Sequence, residues 1–162
     1  MNGFVTINTD ASCAQTEKLG AYAFWIVTDE GKIQKAGELK GEVVNSDHAE
    51  LQSICNAIYT FKHSKFRDIK KVVINTDSQC SIDFLSQKGA SKKPHIIKVL
   101  KEIRFLMMEC CLKYGFSIRD VDTFFNFKHV KAHNGKKDTR SFVNDWCDKQ
   151  VKKYLRQLVN KQ

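Results

Sequence analysis

The run VTINTDAS at residues 5–12 returns as VVINTDSQ at residues 72–79, sharing the tetrapeptide INTD at Ile7–Asp10 and Ile74–Asp77. In the first copy, read as a strand from Phe4 to Thr9, Val5 and Ile7 alternate with Thr6, Asn8 and Asp10, the period of a half-buried strand. The second copy, Lys70 to Thr76, carries the apolar run of a buried strand. Four matching residues are too few to argue duplication. What joins the copies is topology: a right-handed helical crossover sets the second strand parallel to the first, beside it or one place away. Ligands gather outside the carboxyl ends of parallel strands, and both aspartates are expected there.

Working outward, GAYAFWIV at 20–27 and Lys32–Lys40 flank an Asp-Glu-Gly turn and read as a hairpin. Asn45 or Ser46 can cap a helix whose Leu51, Ile54, Cys55, Ile58 and Phe61 repeat at helical spacing. Ser78 opens a short helix to about Ser86. After a loop at 87–93, Pro94 starts a long helix to Lys113, with Ile97, Leu100, Ile103, Phe105 and Leu106 available to the core. Thr123–Lys131 reads as a fifth strand, His133–Arg140 as a polar loop, and Ser141 to about Leu158 as the last helix. The predicted fold is α/β: a mixed five-stranded sheet, three antiparallel strands plus two parallel additions, flanked by helices.

At 162 residues, one domain covering the chain is expected. No apolar run approaches the roughly 18 residues of a membrane span, and MNGFVTINTD lacks the basic start and apolar stretch of a signal peptide. A cytoplasmic protein that does not engage a membrane is therefore expected. Six cysteines form no C-x-x-C pair, so neither a disulfide framework nor structural zinc is expected, and Cys110–Cys111 reads as two small core residues. Lys plus Arg is 27 against 18 for Asp plus Glu, a net charge of +9. The bases group at 62–71, 88–101, 128–140 and 149–156, a surface that favours a polyanion, nucleic acid before anionic membrane.

One aspartate at a strand end is ordinarily a cap or turn residue. Two at one sheet edge repel unless something neutralises them. Glu50 lies in the first turns of the helix entering just past that edge, with Ala49 and Leu51 flanking the buried stripe, so its carboxylate is expected along the rim and not straight out. The ordinary reading of such a residue is compensation of the helix dipole. In the last helix Val143, Cys147, Val151, Tyr154 and Leu158 mark the buried stripe. Asn144 and Asp148 share a face beside it, while Asp145 and Lys149 form the next row outward, toward solvent. Oxygen ligands without nearby cysteine or paired histidine favour Mg²⁺ or Mn²⁺.

With these residues in view, NTDAS around Asp10, AEL around Glu50, NTDSQ around Asp77 and HVKAHNG…NDWCDKQV with His133, Asn144 and Asp148, the chain resembles type 1 ribonuclease H over nearly its whole length. The resemblance implies an Asp-Glu-Asp-Asp site with two divalent ions, Mg²⁺ or a Mn²⁺ substitute, roughly 3.5–4 Å apart. It implies cleavage of the RNA strand of an RNA–DNA hybrid, leaving 5′-phosphate and 3′-hydroxyl ends, by a monomer. In that scheme Asp10 bridges both ions, Asp148 completes the one serving the attacking water, and Glu50 and Asp77 hold the one beside the departing oxygen. His133 assists water attack or product release, whereas His129 belongs to the strand and is structural. Ser12, Cys13, Ser46, Gln79 and Asn144, with Glu50, are the candidates for touching substrate, chiefly at 2′-hydroxyls.

The chain departs from the family in places. Ala11 stands where glycine is common. In NSDHAE at 45–50, Ser46 and Asp47 stand where two amide side chains are frequent, and Asp47 would repel a DNA phosphate. SQKGASKKP at 86–94 replaces the Trp-rich basic protrusion of some bacterial members, with Lys88, Lys92 and Lys93 as partial substitutes, so weaker and more salt-sensitive binding is expected. The 133–144 loop is long and adds Lys136, Lys137 and Arg140. Two other readings share the fold: a catalytically silent nucleic-acid-binding module, and a related metal-dependent nuclease acting on DNA.

Overall fold

The computed structural model describes residues 2–86, 89–130 and 139–161. Five strands, β1 (Phe4–Ala14), β2 (Leu19–Thr28), β3 (Gly31–Glu38), β4 (Lys71–Thr76) and β5 (Phe125–His129), form one sheet in the order β3-β2-β1-β4-β5. The first three pair antiparallel, and β4 and β5 add in parallel. Five helices accompany them: α1 (Ser46–Lys62), α2 (Gln79–Leu85), α3 (Pro94–Lys113), α4 (Val121–Phe124) and α5 (Thr139–Asn160). No described helix is long and apolar enough to cross a membrane.

Alternation in the strands assigns the two faces. Val5, Ile7, Phe24, Ile26, Val72 and Ile74 point to the face covered by α1, where Leu51, Ile54, Ile58 and Phe61 meet them in the main core. Helix α3 packs on α1 as an outer layer and contributes Ile96, Val99, Ile103 and Met107. The opposite face is thinner: Ala21 and Ala23 leave room for α5 to lie close, against Cys147 and Val151. Fully burying one such large aliphatic side chain is worth about 1.5–3 kcal/mol.

Four expectations change. The first strand runs to Ala14, past its expected end at Thr9, because β2 goes on pairing with it from Asp10 to Ala14 after β4 has stopped. Thr123 and Phe124 belong to α4, not to a strand; Ser117 and Asp120 cap the preceding 3₁₀ turn reciprocally, and that helical start carries through to Phe124. Phe105 is 63% exposed, because a helix packed on another helix buries only a narrow stripe, here Ile96–Val99–Ile103–Met107–Cys110. Cys55, placed in the buried stripe of α1, is only half-buried. Cys110 and Cys111 are both buried core residues, as expected.

The start of α1 is held firmly, which matters for the site. Asn45 caps it by accepting from the His48 N–H at 2.9 Å, and the Val44 N–H donates back to His48 Nδ1 at 3.2 Å. The incoming loop is pinned by Leu39 N–H to the Gly20 carbonyl (2.8 Å) and Val43 N–H to the Lys18 carbonyl (2.9 Å). Gly20 keeps this approach close: a Cβ there would sit 3.0 Å from both Leu39 and Val43 side-chain atoms, which would have to give way.

Candidate metal centre

The two INTD copies lie side by side in register: Ile7 pairs with Ile74 and Asn8 with Asn75. Counting two residues on places Asp10 beside Asp77, just past the end of the parallel ladder. There β4 stops because Ser78 turns the chain into α2, its side chain accepting from the Ser81 N–H. His129 ties this corner down through a ring nitrogen 3.1 Å from the Asp77 carbonyl, the structural part expected of it.

Glu50 completes a cluster with these two. One carboxylate oxygen from each of Asp10, Glu50 and Asp77 lies within 4.8 Å of the others. Glu50 does not point straight out: as expected its carboxylate lies at the sheet edge with the two aspartates, it is buried, and its Oε2 has no hydrogen-bond partner among the described residues. A helix starting at Ser46 places residue 50 one turn in, where it reaches over the end of β1. The Ala11 N–H donates to Asp10 Oδ1 at 2.9 Å and also draws the Glu50 carboxyl toward its ionised form.

Asp148 approaches from the other side of the sheet. A cleft of about 40 Å³, room for a few water molecules, is lined by Asp10, Asp77, Asn144 and Asp148, together with Thr9 and Cys147. Asp145 is exposed, as expected, and also stands at this cleft. Asp148 is held by Lys152 one turn on, at 2.8 Å.

The electrostatics are those of crowded, half-dry carboxylates. Burial pushes the Asp10 carboxyl up from 3.8 to about 7, helped by the charges of Asp77 and Asp148; the Ala11 N–H and Lys152 pull the other way. Burial, then Asp10 and Asp77, holds Glu50 well above the usual carboxylate range. Such a cluster must keep protons or acquire a cation. An all-oxygen donor set with an unpartnered buried oxygen fits a hard divalent ion and does not suit zinc.

The other candidates are more scattered. Ser12 and Cys13 sit on β1 opposite Ala21 and Gly20, with Cys13 half-buried against Leu39, Val43 and Ala49. Ser46 is exposed at the first turn of α1. Gln79 opens α2 with its amide 2.9 Å from Asp83 Oδ1. His133, with Lys136 and Lys137, lies outside the described residues, as does the side chain of Arg140.

Two site residues escaped the sequence reading. Lys152 was signalled by its spacing of four from Asp148. Ser53 donates from Oγ to the Asp10 carbonyl at 2.9 Å and is fully buried. Its signal was a lone hydroxyl inside the apolar stripe of α1, since buried polar groups have partners.

Residues 2–156 match the family described as RNase H. Among solved structures the fold is similar to RNase H1 from the halophilic archaeon Halobacterium salinarum, with TM-score 0.69, 14% identity, and 96% of this chain and 99% of that one covered. It is similar to the N-terminal RNase H domain of a Mycobacterium tuberculosis protein, solved as a fusion with maltose-binding protein (TM-score 0.70, 12% identity, 98% and 97% covered). A third similar structure is LC11-RNase H1, solved in complex with an RNA/DNA hybrid (TM-score 0.70, 13% identity, 96% and 99% covered). No curated protein sequence matches the chain.

Proposed function

The chain belongs to the RNase H family, a family of ribonuclease hydrolases, and from that premise we propose that it cleaves the RNA strand of an RNA–DNA hybrid, leaving 5′-phosphate and 3′-hydroxyl ends. The observation that carries this reading is the meeting of Asp10, Glu50 and Asp77 within 4.8 Å at the mouth of a cleft that Asp148 also lines.

Asp10, Glu50, Asp77 and Asp148 are the residues that would hold two divalent ions, Mg²⁺ in the first place and Mn²⁺ as a substitute. When bound, the ions supply Lewis-acid polarisation at phosphorus and a water acidic enough to attack near neutral pH. The protein's own contribution is placement. Asp10 and Asp77 are set by strand register, Glu50 by the capped start of α1, and Asp148 by the close approach of α5 over Ala21 and Ala23. Glu50 is buried and Asp10 half-buried, which strengthens the charge interactions between them.

Recognition of the RNA strand is assigned to Ser12, Cys13, Ser46, Gln79 and Asn144, which offer groups able to meet 2′-hydroxyls and adjoining phosphates. His133 is assigned a proton-carrying part in water attack or product release, a role open to an imidazole. The net charge of +9 supplies the general attraction to a polyanion.

The test offers a labelled RNA–DNA hybrid, single-stranded RNA, duplex RNA and duplex DNA in Mg²⁺, with Asp10→Asn as control. Cleavage confined to the hybrid's RNA strand, and lost in the variant, is the expected result. Hybrid bound but uncut in both Mg²⁺ and Mn²⁺ would overturn the proposal.

A further inference from the structure

The Asp10–Ala11 peptide group is engaged from both ends. Its N–H donates to Asp10 Oδ1 at 2.9 Å and draws the Glu50 carboxyl toward its ionised form. Its carbonyl, on the other side of the same plane, accepts from Ser53 Oγ at 2.9 Å across 43 positions of sequence. Ser53 is fully buried and lies one turn after Glu50 on α1.

We propose that Ser53 is a positioning residue that fixes the Asp10–Ala11 peptide plane and thereby the relative placement of the Asp10 and Glu50 carboxylates. A peptide group is rigid, so holding its carbonyl also aims its N–H. That N–H favours the ionised form of both carboxylates. One hydroxyl on α1 thus clamps the helix that carries Glu50 to the strand residue that carries Asp10. The position is fully closed to solvent, and alanine leaves the carbonyl to another donor or to none.

This inference rests on the metal-site reading above for its consequence, not for its geometry. The test measures binding of Mn²⁺ and of Mg²⁺ alone to the full chain by calorimetry, with no nucleic acid present, for wild type, Ser53→Ala and Ser53→Thr. Loss of the bond is expected to weaken metal binding by roughly twofold to tenfold in the alanine variant, while threonine, which keeps the donor, recovers it. In cleavage assays the alanine variant should need correspondingly more metal, with an unchanged KM for hybrid at saturating metal. A purely structural serine would lower the melting temperature and leave the metal Kd of the folded protein alone. That result would overturn the proposal. Should the alanine variant fail to fold, Ser53→Cys, close in shape but a weak donor, reads the same way. Wild type that binds no metal would sink the metal-site reading itself, a separate outcome.

Discussion

Asn75 donates its side-chain amide to Asn8 Oδ1 at 3.1 Å, across the two central parallel strands and one alternation below the paired aspartates. The repeated INTD therefore does two things with one register. It delivers Asp10 and Asp77 together, and it lays an amide pair beneath them in place of an apolar contact. Both asparagines are buried, at 4% and 1% exposed. Removing one partner strands the other, at a cost of about 1–3 kcal/mol, whereas removing both can be nearly neutral. Asn75→Val should lower the unfolding free energy in urea by that amount, and Asn8→Val with Asn75→Val should cost less than the two single changes summed. Additive losses would show that the bond contributes nothing.

That pairing also marks what the sequence made readable. The spacing of the two INTD runs around one helical segment was enough for parallel neighbours, for a shared edge and for the meeting of two aspartates. Periodicity placed Asp148 on the face beside the Val143–Cys147–Val151 stripe. What escaped depends on partners far along the chain. The extension of β1 to Ala14 exists because β2 keeps pairing there, which no local pattern announces. Thr123 and Phe124 carry β-prone side chains, yet the Ser117/Asp120 cap nearby outweighs them. The burial of Glu50, and its link through Ala11 and Ser53 to Asp10, are tertiary facts with only an indirect trace: a polar residue in an apolar stripe.

The metal-free protein should be less stable at neutral pH than in mild acid. Asp10 rises from 3.8 to about 7 on folding, so the folded state holds a proton that the unfolded chain has released. This contribution is fully present below pH 4 and lost as pH rises through about 7. At pH 8 the neutral Asp10→Asn variant should therefore be more stable than wild type by about 2–4 kcal/mol in chelator, and the gap should close toward pH 4. Saturating Mg²⁺ should shrink the gap as well, by stabilising wild type. Melting curves in chelator across pH 4–8 check this; a variant no more stable at pH 8 would show that Asp10 carries no such burden.

Lys152 competes with cations for Asp148. It holds Oδ2 at 2.8 Å and also pulls the Asp10 carboxyl down, so it stands in for part of the missing positive charge. An exposed i,i+4 pair contributes little to folding. Lys152→Met should leave the melting temperature in Mg²⁺ almost unchanged and tighten metal binding roughly twofold to fivefold, because no ion pair must be given up. The Mg²⁺ concentration at half-maximal cleavage is the readout. A variant that needs more metal would assign Lys152 to substrate contact.

Metal affinity itself should depend steeply on pH. Only ionised carboxylates bind a divalent ion, so each proton still held must leave as the ion enters. Asp10 is protonated below about pH 7, and Glu50 stays protonated well above the usual carboxylate range. Affinity should therefore climb from pH 5 to 8, by up to about tenfold per unit for each proton displaced, and level off once both groups are ionised. The slope should approach one proton in Glu50→Gln, where Asp10 alone of this pair remains to titrate. Calorimetry of Mn²⁺ binding in two buffers of different ionisation enthalpy counts the released protons directly. Wild type releasing none at pH 6 would mean that these carboxylates are already ionised, and the electrostatic account of the site would have to be replaced.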